Sequence, residues 1–412
     1  MSLVTEPGLL SFAEARRVVE LRAAGLAPVE PELTSLLDAV GLALAEDLRA
    51  DRDFPPFPRA TRDGFAVRAK DVQTVPARLR CVGILKAGAD SASVAISAGE
   101  AVEIMTGAAV PEGSDAVVMV EFTERTGESV TVARSVKPGE NVVAAGAEAK
   151  RGDVMIAKGT RVEHTVVAVA AAVGRAELAV HRRPRVAVLA TGDELVDINL
   201  PPGPFEIRNS NSYSLATQVY EAGGEAIILP VARDDAAELA LLLHKGLQSD
   251  LLLVTGGVSM GRYDLVEEVL ASLGAEFFFT GVAIQPGKPV VFGRVSLNGR
   301  TTPFFGLPGN PVSTMVTFQL FVRPVLDALG GAAAVPLPFA QATLKESLTT
   351  KTGLTRFLPG RLSGSHETPT VELVAWHGSG DLMAMANSNC YIVVPPERDR
   401  LNAGEAVTVL LQ

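Results

Sequence analysis

Apolar positions between residues 185 and 332 switch between two periods. The runs RVAVLAT, EAIILPVA, DLLLVTGG and TPFFGLPG have strand length, and EFFFTGVAI and PVVFGRV lie between the last two. Residues 211–222, 236–248, 264–273 and 311–329 instead carry apolar residues at helical spacing. Strand–helix alternation at this interval predicts a doubly wound, mostly parallel sheet. The stretch 250–264 organises it. There Leu251 to Val254 form a strand, Thr255-Gly256-Gly257 follow, and after a polar turn an amphipathic helix runs from Leu265 to Leu273. A strand that ends in paired glycines ahead of a helix brings backbone N–H groups close to a phosphate.

Elsewhere the pattern differs. Residues 11–22 read as a short helix with Ser11 as N-cap and Glu14 completing a capping box. Residues 33–48 read as a second amphipathic helix, with Leu36, Leu37, Val40, Leu44 and Leu48 near helical spacing. In 51–66, DRDFPPFPRATRDGFA, three prolines exclude a helix and Asp63-Gly64 signals a turn. From 75 to 132 short β runs alternate with glycine turns, which predicts an all-β insertion of about seventy residues. A loop-rich return at 137–153 leads to a helix at 161–173. Residues 330–338 read as a linker by composition, and 340–412 as a small barrel of short strands. The expected architecture is multidomain α/β plus β. Domain I spans 1–50 and 137–183, domain II 51–136, domain III 184–330 and domain IV 338–412.

Composition narrows the functional classes. At ~150 residues per domain, a chain of 412 residues suggests about three domains. A net charge of −10 argues against broad nucleic-acid or membrane-surface binding and leaves room for a local basic pocket. Cys81 and Cys390, the only cysteines, supply neither a disulfide framework nor a zinc site, which suits a reducing cytoplasm. The N-terminal MSLVTEPGLLSFAEARR lacks the apolar core of a signal peptide. The apolar stretch at 165–173 is far shorter than the ~20 residues of a membrane span.

In an open α/β sheet, ligands sit beyond the carboxyl ends of the strands. Those ends deliver Thr191-Gly192-Asp193-Glu194, Arg233-Asp234-Asp235, Thr255-Gly256-Gly257-Val258-Ser259 with Asp264 just beyond, Pro286-Gly287-Lys288, and Gly309-Asn310-Pro311-Val312-Ser313. Singly these are ordinary: Asp193, Asp234 and Ser313 suit helix caps, Lys288 a solvated surface, and paired glycines a simple turn. Arriving together, they favour a phosphate site. Glycine N–H groups and Lys288 would hold phosphate, and carboxylates would hold Mg²⁺, which takes one or two protein carboxylates plus phosphate oxygens and waters. His164, His181, His244, His366 and His377 have no Cys or His partner at metal spacing. Ser259 has no G-x-S-x-G elbow, which disfavours a hydrolase triad.

Seven motifs occur in order: FPPFPRATRDGFAV, IMTGAAVPEGSDAVVMVE, KPGENVVAAGAEAKRGD, VAVLATGDEL, VTGGVSMGRYD, QPGKPV and FGLPGNPVS. The set resembles the molybdopterin molybdenumtransferases of MoeA type, related to the E domain of gephyrin, over almost the whole chain. The resemblance implies an elongated cytoplasmic homodimer of four-domain chains, with a pterin-binding domain III and a cleft shared with domain II of the other subunit. It implies adenylylated molybdopterin (molybdopterin-AMP) and molybdate as substrates, AMP release, Mg²⁺ assistance, and a molybdopterin adenylyltransferase as a candidate partner. The functional positions it implies are Asp63, Thr106, Glu148, Glu194, Asp234, Asp264 and Lys288. Without the motif context, Asp63 is a turn aspartate, Thr106 a strand-end threonine and Glu148 a solvated acid. Asp193, Asp234 and Asp264 are the expected metal ligands. Thr191, Gly192, Gly256, Gly257, Ser259, Pro286, Gly287, Gly309, Asn310 and Ser313 complete the expected substrate site. The chain departs from the family pattern at Gln285, where a second lysine is frequent, at Asn209, where Asp is frequent, at Ala60 and Arg62, and in DLMAMANSNCYIVV, which lacks paired serines. Two other readings are a non-catalytic pterin-binding scaffold and an adenylyltransferase. The clustered acids argue against the first and the extra domains against the second.

Overall fold

The computed structural model describes residues 9–257 and 265–412. The chain divides into two compact units: Met1–Ala45, Gly159–His164 and Glu177–Gln412 form one, and Glu46–Lys158 and Thr165–Ala176 the other.

The larger unit is built on a sheet of six described strands, in the order Glu225–Ile228, Arg185–Ala190, Leu251–Thr255, Arg300–Leu307, Val291–Leu297 and Glu276–Phe279. The first four are parallel, and Val291–Leu297 runs against both its neighbours. Side chains alternate across a strand, so Val186, Val188, Leu251 and Leu253 pack into one core with Leu215, Val219 and Val316. Ala187, Leu189, Leu252 and Val254 face the other, with Leu239, Leu243 and Val266. Helices therefore cover both faces, as the doubly wound expectation requires. Leu251 to Val254 are fully buried, so truncating Leu253 to Ala would cost roughly 2–5 kcal/mol.

The Phe12–Ala24 helix starts as expected: Ser11 Oγ accepts from the Glu14 N–H, and Glu14 Oε2 accepts from the Ser11 N–H at 2.8 Å. Residues 33–48 do not form the expected helix. Pro31–Ser35 is a strand paired antiparallel with Glu177–His181, followed by turns. Leu37 and Val40, assigned to an apolar helix face, are 79% and 47% exposed. Pairing with a strand far along the chain takes up the backbone groups that a helix would use locally, and Gly41 at φ +85° breaks any helical run. The expected helix at 311–329 is interrupted by a π-helical turn at Phe318–Val322. Pro311–Leu329 is the one described helix long and apolar enough to cross a bilayer, a length the apolar-run reading did not register, and its apolar window is 67% buried in the core.

Toward the C-terminus, Thr355–Gly364, Pro369–Leu373, Phe339–Leu344, Ala406–Leu411 and Cys390–Val394 pair in sequence, and the last returns to the first. This closed five-strand barrel removes its own edges. Ile284–Gln285 pairs with Thr355 and Arg356 and ties the barrel to the loop that carries Lys288.

The smaller unit contains the expected β insertion. Its described sheet runs Ala116–Met119, Gly64–Val67, Glu100–Ile104, Ala77–Leu85, Ser129–Val132, Thr123–Thr126. Phe65, Leu79, Val118 and Val130 fill one face, and Ala66, Val102, Ile104 and Val117 the other. Gly64 begins a strand and does not end a turn. A Cβ there would lie 1.9 Å from the Val118 carbonyl oxygen, so only glycine fits beside Asp63.

Candidate active site

The chain leaves Arg185–Ala190 for a strand on one side of it and then returns to Leu251–Thr255 on the other. Such a reversal opens a crevice at the carboxyl ends of the two strands. There the Thr191 N–H donates to the Thr255 carbonyl at 3.0 Å. Gly256 and Gly257 follow at φ +88° and +62°, a backbone region costly for any residue with a Cβ. A Cβ on Gly256 would stand 2.3 Å from the Thr191 carbonyl oxygen, and one on Gly309 would stand 3.5 Å from Gly256 Cα. Three strand ends thus meet through backbone alone.

A cavity of about 810 Å³ opens over this junction. Of the residues the sequence assigned to the site, Thr191, Gly192, Glu194, Asp234, Gly256, Gly257, Gly309 and Asn310 line it. Asp193 is not on the wall, but its Oδ1 accepts from the Asp234 N–H at 3.3 Å, while Asp234 Oδ1 accepts from the Thr191 hydroxyl at 3.3 Å. The two acids therefore stand together, and neither caps a helix; Asp235 caps the Ala236–Gly246 helix. Pro286, Gly287 and half-buried Lys288 do not line the cavity, although the next residue, Pro289, does. Ser313 is buried in the Pro311–Thr317 helix, off the wall. Ser259 and Asp264 lie outside the described residues.

Sequence reasoning missed one wall. Leu195, Ile207, Arg208, Ser210 and Asn211 line the cavity, as do Gly380 and Leu382 from the barrel region. Ile207, Arg208, Ser210 and Asn211 belong to the segment IRNSNSY (207–213), in which the family pattern singles out Asn209 alone. Asn211 Nδ2 donates to Thr255 Oγ1 at 3.0 Å and to the Gly309 carbonyl at 2.7 Å. A carbonyl oxygen only accepts, which fixes the amide orientation, and Asn211 Oδ1 is left enclosed with no partner. An orphaned acceptor of this kind costs about 1–3 kcal/mol.

Two departures from the family pattern have local explanations. Asn209 is buried, donates to Ser212 Oγ at 2.9 Å and accepts from the Ser212 N–H at 3.2 Å. A neutral amide braces that turn without the cost of a buried charge. Gln285 Oε1 accepts from Arg356 Nε at 2.8 Å. Arg356 is buried, which pushes its pKa down. A lysine at 285 has no acceptor to offer this guanidinium and would repel it.

Among the described residues, no group of three or more His, Cys, Asp or Glu is gathered tightly enough to hold a metal ion. Asp234 on the cavity wall, with Asp193 bonded to its backbone, suits the chemistry of a cation that takes one or two carboxylates and completes its shell with phosphate oxygens and water, as Mg²⁺ does.

In the smaller unit, Asp63 Oδ1 accepts from both the backbone N–H and the hydroxyl of Thr106, each at 2.7 Å. The Thr106 N–H, and then its hydroxyl, hold the Asp63 carboxyl below the usual range. Glu148 pairs with Arg59 at 2.7 Å. Backbone bonds from Ala60 and Thr61 to Ala108 and Asn141, and from Gly107 back to Ala60, fix the same loop. Asp63, Thr106 and Glu148 are thus tied to one loop cluster.

Three family regions match in order. Residues 10–174 match the MoeA N-terminal region (domain I and II), 187–328 a probable molybdopterin binding domain, and 341–412 the MoeA C-terminal region (domain IV). A molybdopterin molybdenumtransferase of Staphylococcus aureus (strain COL) is 34% identical over 386 residues, covering 92% of this chain and 91% of that one. One of Bacillus subtilis (strain 168) is 34% identical over 405 residues, covering 96% and 92%. The crystal structure of a molybdopterin biosynthesis moeA protein from Pyrococcus horikoshii OT3 superposes with TM-score 0.80 at 29% identity, covering 98% of this chain and 100% of that chain. Matched along nearly its whole length, the chain belongs to the molybdopterin molybdenumtransferase (MoeA) family.

Proposed function

We propose that this chain is a transferase of molybdenum cofactor biosynthesis that takes adenylylated molybdopterin and molybdate and releases AMP. The observation that carries this reading is the convergence of Gly256, Gly257, Gly309, Glu194 and Asp234 on one cavity of about 810 Å³, inside the range of small-ligand sites. Negative charge grows on phosphate oxygens as the adenylate link breaks. The Gly256 N–H is taken by the Leu307 carbonyl at 3.2 Å, and backbone N–H groups of the turn beyond it would offset that charge without reorganising. Asn211 and Thr255 hold the Gly309 loop against the glycine turn, so the donors keep their spacing. Asp193 and Asp234 would hold Mg²⁺, which when bound supplies positive charge to the phosphates. Asp63, Thr106, Glu148 and Lys288 enter as functional residues on the family resemblance. The reading includes a homodimer, checked by sedimentation, and a reducing cytoplasm, which suits two buried free cysteines.

The test is to incubate the purified chain with adenylylated molybdopterin, with and without molybdate. Molybdate-dependent AMP release supports the proposal. Retention of the pterin with no release would leave a binding scaffold, and attachment of AMP from ATP would identify an adenylyltransferase.

A further inference from the structure

The cavity wall carries two acids, Glu194 and Asp234, and one basic side chain among the described residues, Arg208. Its position is set by backbone. Ile207 N–H donates to the Glu194 carbonyl at 2.8 Å, Asn209 N–H to the Val196 carbonyl at 2.9 Å, and Arg208 lies opposite Val196 in the short parallel pairing between them. The side chain is exposed, and its Nε donates to the Leu200 carbonyl at 3.1 Å. Among the described residues no carboxylate pairs with its two Nη groups. An arginine anchored through Nε presents the remaining fork to solvent at the cavity wall. That planar fork matches two phosphate oxygens at once. A cavity walled by acids repels an anionic substrate unless a cation faces the anion, and among the described residues Arg208 is the wall's cationic side chain.

We propose that Arg208 is a phosphate-binding residue of this site, gripping phosphate oxygens of the diphosphate link through its Nη groups while Nε stays on Leu200. This rests on the substrate reading above and goes beyond it, since none of the seven family motifs contains Arg208. The link has two phosphates, one from the nucleotide and one from the pterin, and both offer the same chemistry.

Calorimetry on the full chain tests it with adenosine, AMP and ADP, whose second phosphate stands in for that of the pterin. Arg208→Gln should weaken ADP at least tenfold, and AMP as well if the contact is to the nucleotide's phosphate, the loss of one charge-assisted contact. Adenosine binding should not change, and the salt dependence of ADP binding should flatten. Arg208→Lys should recover part of the loss. A loss larger for ADP than for AMP places the contact on the pterin's phosphate; an equal loss places it on the nucleotide's. The exposed site should leave Tm unchanged in both variants. An unchanged affinity for both AMP and ADP, or an equal loss for adenosine, AMP and ADP, overturns the assignment while the function stands. A native chain that binds no AMP and releases none overturns both.

Discussion

Replacing Gly256 with alanine tests the glycine junction directly. Two costs add. At φ +88° a residue with a Cβ pays about 1–2 kcal/mol for the left-handed backbone. The new Cβ would also stand 2.3 Å from the Thr191 carbonyl oxygen. A carbon normally approaches a carbonyl oxygen no closer than about 3.3 Å, so the two strand ends must part by about 1 Å. In a packed interior a forced shift of that kind costs about 1–3 kcal/mol, for a total of about 2–5 kcal/mol. Gly274→Ala is the control. Gly274 has φ +80° with nothing within 4 Å of its ideal Cβ, so it carries the backbone cost alone. Urea unfolding followed by far-UV circular dichroism should separate the two variants by about 1–3 kcal/mol. A donor cradle displaced by about 1 Å should also cut AMP release by about a hundredfold, whereas Gly274→Ala should leave it unchanged. Equal stability of the two variants, with AMP release by Gly256→Ala within about twofold of native, would refute both the steric argument and the cradle.

Other outcomes follow from single contacts. Asp63 titrates below the ordinary aspartate value of about 3.9 because Thr106 donates to it twice. This contribution to stability is present above the unfolded value and is lost as pH falls through the lowered folded one. Thr106→Val removes the hydroxyl donor and should move the Asp63 midpoint up toward the ordinary value in a carboxyl ¹³C NMR titration; an unmoved midpoint would contradict the assignment. Burial pushes the Cys390 thiol up to about 11 and Cys81 is also buried, so a disulfide reagent at pH 8 should label the folded chain slowly and both thiols at once after denaturation. Rapid labelling of Cys390 in the folded chain would count against that burial. Asp234→Asn should weaken AMP binding in Mg²⁺ and leave binding in EDTA unchanged, and equal weakening in both would remove the metal role.

Local sequence was most legible where one face of an element meets a uniform core. The strand at 251–254 and the capping box at Ser11 depend on neighbours in the chain, and both formed as expected. The 33–48 segment failed for the opposite reason. Its leucines had helical spacing, but the partner that decided its backbone lies at Glu177–His181. The candidate site shows the same division. Glycines at strand ends are visible as letters, because φ above zero and close backbone approach both demand glycine. Arg208 and Asn211 were not singled out, because each gains its role from an element distant in sequence: Arg208 from the Val196 pairing, Asn211 from Thr255 and Gly309.

By itself the sequence determined the family, the alternation of strands and helices in 185–329, and which strand ends carry acids and glycines, since periodicity, turn chemistry and ordered motifs are properties of contiguous residues. Only the tertiary structure decided which of those residues share a cavity. It set Asp193 on the Asp234 backbone, kept Lys288 and Ser313 off the wall, closed the barrel, and brought in an arginine and an asparagine that no motif had flagged. Strand order and side-chain direction at a loop depend on packing between remote segments, and that information lies in contacts and not in neighbours along the chain.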